Sequence, residues 1–209
     1  MLAPPQHGAI TYLCQVRHSS YTGRDSLALL QESLALLHKH YNDQPFAQHD
    51  VLLFPSGDYG EAEQNRVLAP YRGRGTRAHV RFEQVPSEHW RLPLHVAPHL
   101  GGPTVNRTRD WAQYPQYSEG YRHMCRWYTI GLWETLERLG YGWVMRLDED
   151  SRLLSEVPYN LFGYMRSHGL LFGYRMVSYE SGYDGERFHA FVRSYLLAEQ
   201  RRAPAFRPQ

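Results

Sequence analysis

Apolar positions along the chain fall into short continuous runs that alternate with stretches of helical periodicity. Residues Ala9 to Val16 (AITYLCQV) are apolar and rich in β-formers, which predicts a buried strand between Gly8 and Arg17. Leu27, Leu30, Leu34, Leu37 and Tyr41 then recur at helical spacing, so Asp25 to His40 reads as an amphipathic helix with Asp25 or Ser26 as its cap. Asp50 to Phe54 is a second short apolar run, stopped by Pro55 and Gly57. A strand–helix–strand opening predicts a parallel pair with a right-handed crossover, in a sheet covered by helices on both faces. Further along, the pattern predicts a short helix over Glu61 to Ala69 and a strand over His79 to Gln84. A helix over Tyr121 to Leu139 follows, with Met124, Tyr128, Leu132 and Leu136 on its apolar side and Gly140 ending it. Tyr141 to Leu147 reads as a strand, Val157 to Ser167 as a helix, Leu170 to Val177 as a strand and Arg187 to Gln200 as a last helix. Pro86 to Tyr117 has no periodicity and is a long loop, a feature that compact domains usually keep for function. Arg201 to Gln209, with Pro204 and Pro208, is expected to fray. The fold class expected is α/β, in one domain spanning residues 1–209, with no internal repeat.

Composition narrows the partners. The 209 residues are 42% hydrophobic and 21% charged, which fits a folded domain. A net charge of +2 gives no electrostatic case for nucleic acid, where a basic face would be the footprint. Sixteen Tyr, eight Phe and five Trp supply rings of the kind that stack on sugars, although ordinary packing uses them too. Cys14 and Cys125 are too few for a disulfide framework and sit at no zinc-ligand spacing, so two buried thiols are expected, or one long-range disulfide in a luminal protein. No run approaches the ~18 apolar residues that span a bilayer, and no signal peptide is visible. Asn106-Arg107-Thr108 is a glycosylation sequon that matters only in a secretory compartment.

The main chemical signal is an apolar strand that runs straight into Asp148-Glu149-Asp150. Residues two apart in a strand point the same way, so Asp148 and Asp150 are predicted to converge on one point. Two hard carboxylates suit Mn²⁺ or Mg²⁺, which keep further positions for water and phosphate oxygens. Ligands of parallel sheets bind beyond the carboxyl ends of the strands, where both the acidic triplet and Arg17 fall.

Several segments resemble one family, in the family's order. Tyr121-Arg122-His123-Met124-Cys125-Arg126-Trp127 resembles the Tyr-x-x-Met-Cys-Arg-Trp signature of the fungal-type Golgi α-1,2-mannosyltransferases. Trp143 to Asp150 resembles their Trp-Arg-Val-Glu-Pro-Asp segment, with the strand arginine at Arg146, Asp148 in place of Glu and Glu149 in place of Pro. Tyr159 to Met165, Phe172 to Tyr174, Val85 to Trp90 and Gln15 to His18 match further segments. The resemblance covers roughly residues 9–180. It implies a GT-A-like fold, a GDP-mannose donor, Mn²⁺, retention of anomeric configuration and a Golgi-luminal, membrane-anchored setting. No anchor is visible in this chain. The family continues into a part that carries a His-Phe-Trp-Ser-Asn-Phe-Glu segment, whose Glu is the proposed catalytic carboxylate, and a later His that binds the metal. Neither occurs in these 209 residues, so the chain is expected to lack that C-terminal part, as a fragment or a minimal variant.

The function expected is therefore a metal-dependent glycosyltransferase that moves mannose from GDP-mannose to a glycan or glycoprotein acceptor. Asp148 and Asp150 are the metal ligands. Arg17, Tyr121, Arg126 and Asp148 bind the nucleotide sugar. Glu180, after the last predicted strand, is the candidate catalytic carboxylate. His89 and His123 lack partners at ligand spacing and read as structural; Glu88 and Trp90 either shape the acceptor side or pack the loop. The rival readings are the same fold with another sugar nucleotide, a donor-binding module without turnover, and a truncated product with no function of its own.

Overall fold

The structure is a computed structural model that describes residues 7–16, 23, 25–56, 59–73, 79–91, 119–176 and 183–202. These fall into two units, Met1–Gly169 and Leu170–Gln209. The first is built on strands β1 (Gly8–Cys14), β2 (Asp50–Pro55), β3 (Val80–Phe82) and β4 (Trp143–Asp148). All pairings are parallel and the order is β3-β2-β1-β4, so β1 is hydrogen-bonded along both edges.

Alternation along the strands sorts their side chains to two faces. Ile10, Tyr12 and Cys14 of β1, with Val51 and Leu53 of β2, face helix α1 (Ser26–Leu37). There they meet Leu27, Leu30, Leu34, Leu37 and Tyr41, the stripe that the periodicity predicts. Helix α2 (Glu61–Leu68) adds Val67 to this layer. Ala9, Leu52 and Phe54 face the other way, against Trp127, Leu132 and Leu136 of a long helix. That helix comprises α3 (Glu119–Arg126), a π-helical turn (Trp127–Gly131) and α4 (Leu132–Arg138). The result is the expected helix–sheet–helix arrangement, with the core split between the two faces.

Local chemistry sets the element ends. Asp25 caps α1, its carboxylate accepting from the Ala28 amide at 3.0 Å. The long helix stops at Gly140, whose φ of 83° is open to glycine at little cost. Gly140 and Tyr141 donate their amides back to the Glu137 and Leu136 carbonyls. Helix α5 (Leu161–Ser167) starts four residues later than predicted. Pro158 disfavours helix at Val157, and Asn160 then caps by accepting from the Gly163 amide at 2.8 Å.

The second unit holds helix α6 (Tyr183–Arg202). The predicted strand over Leu170 to Val177 is not formed: residues 170–176 have no regular structure and are all exposed, and Val177 lies outside the described residues. A strand needs a hydrogen-bonding neighbour and a face to bury, and this unit has no second strand among its described residues. The predicted loop over 92–117, the sequon at Asn106 and the tail beyond Arg202 lie outside the described residues. No disulfide joins Cys14, which is buried, to Cys125, which is exposed rather than buried as expected. No described helix is long and apolar enough to cross a membrane.

His49 makes the fold sensitive to acid. Its ring packs edge-on against Phe162 at 4.6 Å, and burial holds its pKa below the ordinary histidine value, against opposing effects of Asn160 and Asp50. A histidine with a depressed folded pKa stabilises fully above its unfolded pKa, and that stability drains as pH falls below it. The denaturation midpoint should therefore fall between about pH 7.5 and about pH 5.5, and fall less steeply in His49→Gln.

Candidate functional site

The acidic triplet lies where β4 turns. Asp148 is the last residue of β4, and the Ser151 amide donates back to its carbonyl at 2.9 Å, closing a tight turn over Glu149 and Asp150. Asp148 and Asp150 are exposed, whereas Glu149 between them is 8% exposed. Glu149 turns inward because β1 needs an acceptor there. Its carboxylate accepts from the Gln15 backbone amide at 3.1 Å and from the Gln15 side chain at 3.5 Å. Burial raises the Glu149 pKa above the ordinary carboxylate range, against the opposing pull of polar groups on Ser26 and Gln15. The three acids are thus not equivalent: the middle one ties the turn to the end of β1, and the outer two are exposed.

Arg146 shares a strand face with Asp148. Its Nε and Nη2 donate to one oxygen of Asp148, at 3.2 and 3.0 Å. Its guanidinium lies over the Tyr128 ring, 3.5 Å from the centroid. Tyr128 is anchored in turn: its hydroxyl accepts the Leu13 amide of β1 at 3.3 Å. Burial, with a smaller contribution from Asp148, raises its pKa to about 12, so the phenol stays neutral. The π-helical turn presents this ring and releases the Tyr128 carbonyl to accept the Trp133 indole at 3.0 Å. Gly131 closes that turn against His89; a Cβ there would lie 2.6 Å from the imidazole and 2.7 Å from the Trp127 ring.

The structure brings some predicted residues together and leaves others apart. Asp148 and Asp150 are both exposed on one turn. Tyr121 is exposed on α3, and Arg126 donates to the Arg91 carbonyl at 2.9 Å, not to the acidic turn. Arg17 and Glu180 lie outside the described residues, although Arg17 follows Gln15 by two positions. His89 is buried beside Trp127, with Nε2 3.2 Å from Glu134, and His123 is buried with its ring 5.7 Å from Trp90. Among the described residues no three His, Cys, Asp or Glu side chains gather as a metal centre. Two exposed carboxylates still fit Mn²⁺ or Mg²⁺, which take oxygen ligands and fill their remaining positions with water and phosphate oxygens. Tyr128 and Glu149 were not among the predicted site residues. Glu149 lies in the turn beyond β4 and its partner Gln15 is 134 residues away, so no local pattern marks it.

Residues 13–190 match the family described as glycolipid 2-alpha-mannosyltransferase. The glycolipid 2-alpha-mannosyltransferase of Saccharomyces cerevisiae is 29% identical over 149 residues, which is 66% of this chain and 27% of that protein. Glycolipid 2-alpha-mannosyltransferase 1 of Candida albicans is 29% identical over 91 residues, 43% of this chain and 21% of that protein. The chain thus spans about a quarter of the length of these relatives. Among solved structures, core-mannan synthase A of Aspergillus fumigatus, in its Mn/GDP form, superposes with a TM-score of 0.58 at 24% identity, covering 78% of this chain and 40% of that one. The mannosyltransferase Ktr4p of S. cerevisiae, in complex with GDP, superposes with a TM-score of 0.56 at 19% identity, covering 78% and 38%. The parallel sheet flanked by helices is therefore the GT-A-like fold of these neighbours.

Two substitutions test the supports of the site. Glu149→Ala strands the Gln15 amide and should lower unfolding free energy by about 1–3 kcal/mol, with faster hydrogen exchange at Gln15. Gly131→Ala overpacks the His89–Trp127 contact and should cost about 1–3 kcal/mol. Denaturant midpoints read both.

Proposed function

The chain belongs to the glycolipid 2-alpha-mannosyltransferase family, and from that premise we propose that it binds a nucleotide-sugar donor, GDP-mannose, for transfer of mannose to a glycan or glycoprotein acceptor. The observation that carries this is the pair Asp148 and Asp150, both exposed on the turn at the carboxyl end of β4, which pairs in parallel with β1. Core-mannan synthase A was solved with Mn and GDP, and Ktr4p with GDP, which supports the same donor and metal here.

Asp148 and Asp150 would hold Mn²⁺ or Mg²⁺. When bound, the dication offsets the negative charge that grows on the diphosphate as the glycosidic bond breaks. Glu149 keeps the turn fixed while the outer acids work. Arg17, Tyr121 and Arg126 orient the nucleotide; Arg126 suits this through the planar fork of its guanidinium. Glu180 is the candidate carboxylate at the reacting carbon. An α-1,2 linkage, retention of configuration and a Golgi-luminal site of action go with the family resemblance, as does the working of residues 1–209 as one glycosyltransferase domain. A sugar nucleotide other than GDP-mannose would leave these roles unchanged.

A second reading is a module that binds the donor without turnover. Calorimetric titration with GDP-mannose, with and without Mn²⁺, separates the outcomes. Metal-dependent binding that is lost in Asp148→Ala/Asp150→Ala is expected. Binding without release of GDP in the presence of acceptor glycans would favour the module. No binding to a folded sample under any condition would overturn the donor-site proposal.

A further inference from the structure

Arg146 holds a position that a metal would contest. Two of its N–H groups converge on a single oxygen of Asp148, and a guanidinium is a fixed cation. Its place is built rather than incidental. The ring beneath it is fixed to β1 through the Leu13 amide, and Arg146 and Asp148 lie two apart on one strand. Yet the pair is half exposed, 46% for the arginine side chain and 56% for the aspartate. An exposed ion pair contributes little to stability, so it exchanges easily for another partner.

We propose that Arg146 is a stand-in cation for the metal at Asp148, a proposal that rests on the metal-site reading above. In the metal-free chain it offsets the Asp148 charge and fixes the carboxylate in place. A dication arriving at Asp148 meets this positive charge at close range, so bare metal binds weakly. A metal carrying a diphosphate brings its own negative charge. Arg146 then releases Asp148 and donates its N–H groups to a phosphate oxygen, a planar match for the guanidinium fork. The arginine thus disfavours free metal and favours the metal–nucleotide complex, so that metal and donor enter together. Arg146 is a binding and positioning residue here; it takes no part in bond making.

The test is a Mn²⁺ titration of the whole chain, followed by the electron paramagnetic resonance of free Mn²⁺, first alone and then with GDP. Arg146→Gln should bind bare Mn²⁺ about three- to tenfold more tightly, since a nearby like charge is removed, and should bind Mn²⁺–GDP more weakly than the native chain. Arg146→Lys keeps the charge and should leave bare Mn²⁺ affinity near the native value while weakening the GDP complex. Opposite signs for the two ligands distinguish this role from a structural one, which would weaken both. Equal or weaker bare-metal binding in Arg146→Gln, with a native melting temperature, overturns the proposal and leaves the metal site standing. No Mn²⁺ binding by either chain removes the metal site and this role together.

Discussion

Strand β1 lies inside the sheet, paired on both edges, and the amides at its far end still require acceptors. Leu13 and Gln15 are two apart, so their N–H groups point to the same edge of the strand. A buried amide left without a partner costs about as much as a lost hydrogen bond. Tyr128 meets the first and Glu149 the second. These acceptors come from positions 115 and 134 residues away in sequence, and each carries part of the site with it. Tyr128 brings the ring on which Arg146 rests. Glu149 brings the turn that displays Asp148 and Asp150. The register of β1 on β4, with Leu13 opposite Asp148, sets the spacing of both.

That constraint explains why an acidic triplet contains a buried acid. Desolvation works against the charge of Glu149, and the hydrogen bonds from Gln15 work for it. An apolar residue at position 149 would bury easily but would leave the Gln15 amide unpaired. With Glu149 drawn inward, Asp148 and Asp150 on either side of it remain exposed. The exposure of Asp148 and Asp150 and the burial of Glu149 are two aspects of one geometry.

Periodicity carried most of the fold in advance. Leucines spaced along α1 and short apolar runs in β1 and β2 each demand a single type of element, and the parallel pairing followed from their order. Three features escaped, each for a physical reason. The exposed segment 170–176 has the composition of a strand but no strand to pair with among the described residues of its unit, and composition does not supply neighbours. The π-helical turn at Trp127–Gly131 hides inside an otherwise regular helical pattern, so Tyr128 reads as one more apolar position although it serves the site. Glu149 reads as a third acid because its partner, Gln15, is remote in sequence. Arg17 and Glu180 stand as the sequence proposes them, outside the described residues. Arg126 was expected at the diphosphate, and in this structure it is held by the Arg91 carbonyl.

The two ends of the sheet are finished differently, and the difference bears on function. At the amino ends of the strands, several polar groups bond to one another. Asn42 and His49 exchange a pair of 2.8 Å hydrogen bonds, Tyr141 donates to Asp50, and Arg81 donates to Tyr141. The Leu161 amide donates to the Tyr41 hydroxyl, whose pKa burial raises to about 12. At the carboxyl ends, the inner ties of Glu149 and Tyr128 are just as specific, but Arg146, Asp148 and Asp150 remain open to solvent. Rigid support under an exposed charged rim is what a ligand site requires, because groups already held in place lose little freedom when the ligand arrives. On the donor-site proposal the carboxyl end of the sheet serves binding, while the hydrogen bonds at its amino end hold the fold.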